Sequence, residues 1–142
     1  MTKLILASKS PRRLQLLNST NIIPDIVDPP NINESIIQEE KPKIYLKRIC
    51  LEKAKSIQKK YENDIILAAD TIVSTKQKIF LKPKNEKDAK KTLKYLSGRN
   101  HSVITGVCVL FKDKKKIKII ETKIKFKKLH NNEIDQYIKT SQ

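Results

Sequence analysis

The segment Leu4–Leu17 constrains the fold most, because it encodes a strand, a tight turn and the beginning of a helix in close succession. Leu4 to Ala7 form a short apolar run that is typical of a buried strand. Ser10 is a good N-cap, and Pro11 suits the first helical position, where its missing N–H costs nothing. The segment therefore predicts a strand that leads directly into a helix.

Two arginines occupy the first turn of that predicted helix. Arg12 and Arg13 lie at the positive end of the helix dipole, which is unfavourable for cations unless an anion is bound there. Free backbone N–H groups and arginine side chains together favour a phosphate site. Ser8 and Ser10 either donate to that phosphate or only shape the turn. The alternative for the whole segment is a surface turn whose arginines are solvated.

The net charge of +16 raises nucleic acid as a partner, but its distribution argues against one. Residues 1–71 carry 12 basic and nine acidic side chains, whereas residues 72–142 carry 19 and six. The excess is mostly scattered lysine, and with 5% aromatic residues and no Trp, platforms for base stacking are scarce. We attribute much of the charge to codon bias and expect no nucleic-acid partner. An acidic small-molecule substrate would still benefit from the positive field.

Length and composition predict a single domain in the cytoplasm. We expect one domain over residues 1–142, without repeats or a linker. No apolar run approaches the length of a membrane span, and Thr2 and Lys3 lead straight into the first strand, so we predict neither a membrane protein nor a signal peptide. Cys50 and Cys108 are isolated, which favours buried thiols in a reducing compartment over a disulfide.

Asp70 interrupts the apolar run 65–74, which otherwise reads as a buried central strand. A carboxylate in such a strand is costly unless it is paired or binds a cation, and it can act as a general base toward water. The alternative is a carboxylate satisfied by backbone N–H groups. We favour function, because Asp is poorly suited to strand interiors. Thr71 adds a hydroxyl group beside Asp70, or packs as an ordinary β-branched residue.

Other candidates are weaker when taken one by one. Glu34 follows a Pro-Pro loop and is either a second metal ligand or a solvated acid, and the sequence by itself favours the solvated acid. Lys53 and Lys82 could each reach a phosphate, although one lysine among so many is a weak signal. His101, with no other chemistry-bearing residue beside it, is interpreted as structural or exposed.

Periodicity predicts the remaining elements. A helix is expected from Pro42 to about Lys60, and strands over residues 21–27 and 101–111. Another helix begins after Asn85 and is ended by Gly98, a residue suited to the left-handed conformation. In the last long strand, Ile120 and Ile124 are expected to face inward.

The chain contains a series of short motifs, in this order: Ser8-Lys-Ser-Pro-Arg-Arg13, Glu52-Lys-Ala54, Ala69-Asp-Thr-Ile-Val73, Lys82-Pro83, and Leu96-Ser-Gly-Arg-Asn-His101 with Thr105-Gly106. The same order is found in Maf proteins, once described as septum formation inhibitors, and the chain resembles that family over essentially its whole length. The dTTP/UTP branch of the family fits best, because Pro-Arg-Arg occurs together with Ala-Asp-Thr.

The resemblance implies an α/β fold, similar to inosine triphosphatase, with a mixed twisted sheet flanked by helices and a central cleft. It implies a divalent metal, Mg²⁺ or Mn²⁺, and hydrolysis of a nucleoside triphosphate to the monophosphate and pyrophosphate. Asp70 would be the proton acceptor and, with Glu34, a metal ligand. Arg12 and Thr71 would influence base choice. The residues implied to line the phosphate and metal region are Ser8, Arg13, Glu34, Lys53 and Lys82.

Two departures from the family pattern bear on activity. Leu81 stands where the family usually has Glu before the Lys-Pro pair. Relatives also continue beyond the helix around Ile134 to Ile138, so we expect a C-terminally short chain that lacks the usual final elements. An inactive nucleotide-binding remnant is therefore the alternative to an enzyme, and a homodimer is left open.

Overall fold

The computed structural model describes residues 1–76 and 78–140, so the predicted domain end at Gln142 lies outside the described residues. Within those ranges the chain forms six strands and four helices. In chain order they are β1 (Leu4–Ala7), α1 (Pro11–Ser19), β2 (Ile26–Val27), α2 (Pro42–Gln58), β3 (Ile65–Ser74), β4 (Ile79–Phe80), α3 (Glu86–Leu96), β5 (Asn100–Phe111), β6 (Lys114–Lys125) and α4 (Asn131–Thr140).

The strands form one mixed sheet in the order β2-β1-β3-β5-β6, and β4 pairs with β3. β1 runs parallel to both β2 and β3, whereas β4 is antiparallel to β3. The predicted mixed α/β fold is confirmed. The predicted second strand is shorter than expected, since pairing with β1 is limited to two positions, Ile26 and Val27.

The chain divides into two compact units. The first unit comprises Met1–Thr71 and Thr105–Ile120, and the second comprises Ile72–Ile104 and the residues from Glu121 onward. Each of the helices in residues 1–76 and 78–140 is too short or too polar to cross a membrane.

The core of the first unit forms around β1, β3 and α2. The apolar residues of α2 recur at intervals of three or four, so they share one face of the helix. Burial of that face stabilises the unit, at about 25 cal/mol for each Å² of apolar surface removed from water. The side chains that are completely buried in this core include Ile5, Leu6, Leu46, Ile49, Cys50, Ala54 and Ile66.

Gly106 allows β5 to approach this core closely. A Cβ at position 106 would lie 2.9 Å from Leu46 Cγ, 3.0 Å from Cys50 Sγ and 3.1 Å from Ile119 Cδ1. Because Ile119 points toward Gly106 and strand side chains alternate between faces, Ile120 points to the opposite face and is 51% exposed. The prediction that Ile120 faces inward is therefore wrong.

The second unit contains α3 and α4, which contact each other. Asn85 caps α3 by accepting a hydrogen bond from the backbone N–H of Asp88 at 2.8 Å, as predicted. Gly98 ends the helical segment with φ of +69°, the left-handed conformation predicted for it. Ile134 and Ile138, which form part of the apolar stripe of α4, are buried. His101 is also buried, and its ring stacks edge-on against Phe126, so it is a core residue.

Candidate active site

The turn after β1 has the predicted local structure. The Ser10 hydroxyl accepts a hydrogen bond from the backbone N–H of Arg13 at 3.2 Å, and Pro11 occupies the first turn of α1. Ser8 is buried, and its hydroxyl accepts from the backbone N–H of Ser10 at 3.0 Å. The two serines therefore shape the turn, and α1 begins without an acidic residue to offset Arg12 and Arg13.

The register of the parallel strands places this turn near Asp70. Ala7, the last residue of β1, pairs with Ala68 of β3, and Asp70 follows two residues further along β3. The carboxyl ends of parallel strands share one edge of a sheet, which is where ligands bind in open α/β folds. The start of α1 and Asp70 thus belong to the same edge of the first unit.

Asp70 is partly buried and uses both of its carboxylate oxygens. Its Oδ1 accepts a hydrogen bond from the backbone N–H of Thr71 at 2.9 Å, and its Oδ2 lies 3.6 Å from Lys53 Nζ. The first contact is the backbone interaction that was the structural alternative for Asp70. The second is a charge contact with another predicted site residue, so both interpretations apply to the same side chain.

Lys53 joins two carboxylates that are distant in sequence. Its Nζ lies 3.1 Å from Glu34 Oε1 as well as 3.6 Å from Asp70 Oδ2. The side chain of Lys53 is only 13% exposed, since Lys53 lies one turn after the buried residues Ile49 and Cys50 of α2. A partly buried ammonium held by two carboxylates is an electrostatically strong arrangement, since water screens it less than a surface pair.

Glu34 comes from the loop between β2 and α2. The sequence favoured a solvated acid, and the side chain is indeed 47% exposed, yet its carboxylate contacts Lys53. The backbone carbonyl of Glu34 accepts a hydrogen bond from the Tyr45 hydroxyl at 2.6 Å. Glu34 is therefore fixed through its main chain, with its carboxylate directed at Lys53 Nζ.

Thr71 is exposed on β3, and its hydroxyl lies 3.0 Å from the hydroxyl of Thr105 on β5. Either hydroxyl can be the donor in this pair. The contact fixes the direction of the Thr71 side chain, next to the carboxylate of Asp70. Thr71 thus presents a hydroxyl group to solvent instead of packing in the core.

The charges of this cluster affect the pKa of the Cys50 thiol. Burial raises the pKa of its thiol to about 12, and the negative charge of Asp70 adds to the increase. The positive charges of Lys53 and Arg13 act on the same thiol in the opposite sense. Cys50 and Cys108 are both buried and unpaired, as predicted, and a thiol with so high a pKa is not a nucleophile.

Lys82 belongs to the second unit, where it follows β4 and is exposed. Leu81, which stands at the position of the usual family Glu, is also exposed, at 42%. In the first unit the structure brings Lys53 into contact with both Glu34 and Asp70, and Thr71 follows Asp70 on β3. Arg12 and Arg13 lie in the first turn of α1 in that unit, and Ser8 lies in the turn that precedes the helix.

Two residues that hold the loop of Glu34 were missed by sequence reasoning. Tyr45 and Arg48 lie on α2 and bind the backbone carbonyls of Glu34 and Ser35. Their spacing of three places them on the same face of the helix, one turn apart. Arg48 is one of only four arginines in a lysine-rich chain, which is the signal that could have marked it.

The carboxylates of the cluster can be compared with the donors that Mg²⁺ uses in proteins. No group of three or more His, Cys, Asp or Glu side chains that could hold a metal occurs among residues 1–76 and 78–140. Two carboxylates, Glu34 and Asp70, do converge on one cation. Mg²⁺ is commonly held by one or two carboxylates together with water and substrate phosphates, and this donor set fits that pattern.

Comparison with known proteins places the chain among sequences of one family. The model of the family described as "Maf-like protein" matches residues 3–142. The dTTP/UTP pyrophosphatase of Caulobacter vibrioides is 42% identical over 140 residues, which cover 98% of this chain and 72% of the relative. The dTTP/UTP pyrophosphatase of Pyrococcus furiosus is 44% identical over 146 residues, covering 100% and 74%.

A solved structure supports the fold. Protein VC0702 from Vibrio cholerae superimposes with a TM-score of 0.51 over 100% of this chain and 72% of that protein, at 9% sequence identity. At so low an identity the likeness concerns the fold alone. Because the family model spans nearly the whole chain and relatives exceed 40% identity, the chain belongs to the family of Maf-like proteins.

Proposed function

We propose that this chain hydrolyses dTTP and UTP, including modified forms of these nucleotides, to the nucleoside monophosphate and pyrophosphate. The observation that carries the proposal is the contact of Lys53 with both Glu34 and Asp70. It unites, in one place, a cation for phosphate, a carboxylate base and a second carboxylate. Relatives with more than 40% identity that bear the name dTTP/UTP pyrophosphatase support the choice of substrate.

The proposed reaction is attack of water on the α-phosphorus. A bond forms between the water oxygen and that phosphorus, the bond to the bridging oxygen breaks, and pyrophosphate leaves with the bonding electrons. Asp70 accepts the proton of the attacking water, because its carboxylate is partly exposed and firmly oriented by the Thr71 N–H. Lys53 and Arg13 offset the negative charge of the triphosphate.

The arginines at the start of α1 have separate roles in this proposal. Arg13, at the positive end of the helix dipole beside the Ser8–Ser10 turn, binds phosphate. Arg12 and Thr71 select the base, as the family motifs imply. For Lys82 we propose phosphate binding, the role that the Lys-Pro motif of the family implies.

We infer that Mg²⁺ or Mn²⁺ is required, with Glu34 and Asp70 as its protein ligands. The ion, when bound, supplies positive charge against the charge that develops on the phosphate oxygens. The two carboxylates fit this role because both lie within reach of a single cation, Lys53 Nζ. A reducing cytoplasm is the setting we propose, consistent with two unpaired thiols.

The test is a panel of nucleoside triphosphates incubated with the folded protein and either Mg²⁺ or Mn²⁺. We expect pyrophosphate, not orthophosphate, and the highest kcat/KM for dTTP or UTP. With water that carries heavy oxygen, the label should enter the monophosphate. If no nucleotide yields pyrophosphate, the proposed activity is wrong, and thermal stabilisation by nucleotides without turnover would then indicate the inactive binding remnant.

A further inference from the structure

The segment of residues 34–40, called here the Glu34 loop, is held at its beginning by two side chains of α2. The Tyr45 hydroxyl donates to the carbonyl of Glu34 at 2.6 Å. Arg48 Nη2 donates to the carbonyl of Ser35 at 2.9 Å. Two successive carbonyls of an irregular segment are thus bound by residues one turn apart on α2.

The end of the same loop is bound by the same guanidinium. Arg48 Nε donates to Glu40 Oε2 at 2.7 Å and Nη2 donates to Glu40 Oε1 at 2.9 Å, a bidentate pair that fixes orientation as well as distance. Glu40 Oε1 also accepts from the backbone N–H of Ile37 at 3.2 Å, and the Glu40 side chain is only 7% exposed. Arg48 therefore joins both ends of the loop to α2.

The ionisation state of Glu40 favours a stable attachment of the Glu34 loop to α2. The hydrogen bond from Arg48 holds the pKa of the Glu40 carboxyl below its usual value. Glu40 consequently remains a carboxylate at neutral pH and keeps both of its hydrogen bonds from Arg48.

The consequence for the candidate site lies in the position of Glu34. Glu34 Oε1 contacts Lys53 Nζ at 3.1 Å, although its side chain is nearly half exposed and its loop has no regular secondary structure. Ordering such a loop costs conformational entropy, which the hydrogen bonds of Arg48 and Tyr45 offset. We propose that Arg48, paired with Glu40, is a positioning residue that presents Glu34 to Lys53 and to the bound nucleotide.

This inference builds on the proposed function, and it adds a residue that acts on the site only through Glu34. The test variant is Arg48→Met, which keeps the length of the side chain and removes all its donors. The matched control is Lys47→Met, because Lys47 is exposed on the same helix and the substitution removes the same charge. Arg48→Lys keeps the charge without the fork and should recover only part of any loss.

Hydrogen exchange tests the attachment without any need for turnover. We expect the Ile37 amide, which donates to Glu40 Oε1, to exchange at least tenfold faster in Arg48→Met than in wild type or Lys47→Met. The amides of β1 and β3 should keep their wild-type rates, which shows that the variant is folded. Unchanged protection of Ile37 would overturn the proposal.

A double-mutant cycle tests the route through Glu34. Arg48→Met should lower kcat/KM by about 10- to 100-fold, the usual effect of a misplaced site residue. In a Glu34→Gln background it should have no further effect, since the carboxylate it positions is gone. Independent losses that add in the double variant would overturn the proposal and indicate a general structural role.

If wild type lacks turnover, the same cycle is measured on the dissociation constant for a non-hydrolysable UTP analogue. In that case the proposed activity fails by itself, and the positioning role is still decided by coupling between Arg48 and Glu34. If the effects of the Arg48 and Glu34 substitutions on this dissociation constant are independent, the positioning role of Arg48 is overturned. Strong coupling between them supports that role.

Discussion

The ammonium group of Lys53 lies 3.6 Å from the carboxylate of Asp70, across the contact between α2 and β3. The same ammonium contacts Glu34 at 3.1 Å, so removal of Lys53 would leave two nearby carboxylates without their shared cation. Binding of a metal ion and a triphosphate at this site would therefore change the contacts of Lys53 with the two carboxylates. We therefore regard Lys53 as the electrostatic centre of the first unit.

Lys53→Met should abolish most of the activity without unfolding the protein. Phosphate charge would lose a nearby cation in a partly buried site, where such groups commonly contribute a factor of about 100 or more. Steady-state kinetics with UTP measures the loss, and Lys47→Met is the control for removal of a lysine from α2. A kcat/KM within twofold of wild type would exclude Lys53 from the site.

Thr105→Val should change the choice between nucleotides. The substitution preserves shape but removes the hydroxyl that lies 3.0 Å from that of Thr71, so the Thr71 hydroxyl loses its fixed direction. If Thr71 reads the base, the ratio of kcat/KM for dTTP and UTP should shift by about three- to tenfold. Thr122→Val, at an exposed position of β6, is the control. An equal loss for both nucleotides would count against a role in specificity.

Gly106→Ala should destabilise the first unit through overpacking. The new methyl group would lie 2.9 Å from Leu46 Cγ and 3.0 Å from Cys50 Sγ, which are fully buried and have little room to move. We expect the free energy of unfolding in urea to fall by about 1–3 kcal/mol. Gly98→Asn is the control, because Asn tolerates a left-handed backbone. A stability equal to wild type would show that β5 can move away from α2.

His101 should make the second unit less stable in acid. Burial lowers its pKa below the ordinary value of 6.5, so the unfolded chain binds the proton at a higher pH than the folded chain does. The free energy of unfolding should therefore decrease as pH falls below 6.5, and level off below the lowered pKa of the folded state. Urea unfolding at several pH values measures this slope. His101→Met should reduce it, whereas equal slopes in His101→Met and wild type would contradict the assignment.

Local sequence signals predicted the elements well, because caps and turns act over a few residues. Ser10 with Pro11, Asn85 and Gly98 all have the predicted conformations. The face of β6 could not be predicted in the same way. Ile occupies both alternating rows of that strand, and only the space above Gly106 decides that Ile119 points inward.

The candidate site was predictable as a set of residues but not as a set of contacts. Asp70 stood out because a carboxylate in an apolar strand needs a partner, yet nothing local identified Lys53 as that partner. The carboxylate of Glu34 reaches Lys53 through a loop whose conformation depends on Tyr45 and Arg48, and these contacts join positions more than ten residues apart. Helix spacing alone could have paired Tyr45 with Arg48, but not with the loop.

The central claim, that Asp70 prepares water for attack on a nucleotide, is tested most directly by Asp70→Asn. Asn keeps an oxygen that can accept from the Thr71 N–H, so the fold should survive while the base and its charge are lost. Pyrophosphate release from dTTP and UTP should fall by about 100-fold or more, whereas Asp113→Asn, on an exposed turn, should behave as wild type. Pyrophosphate release by a folded Asp70→Asn variant at the wild-type rate would contradict the account.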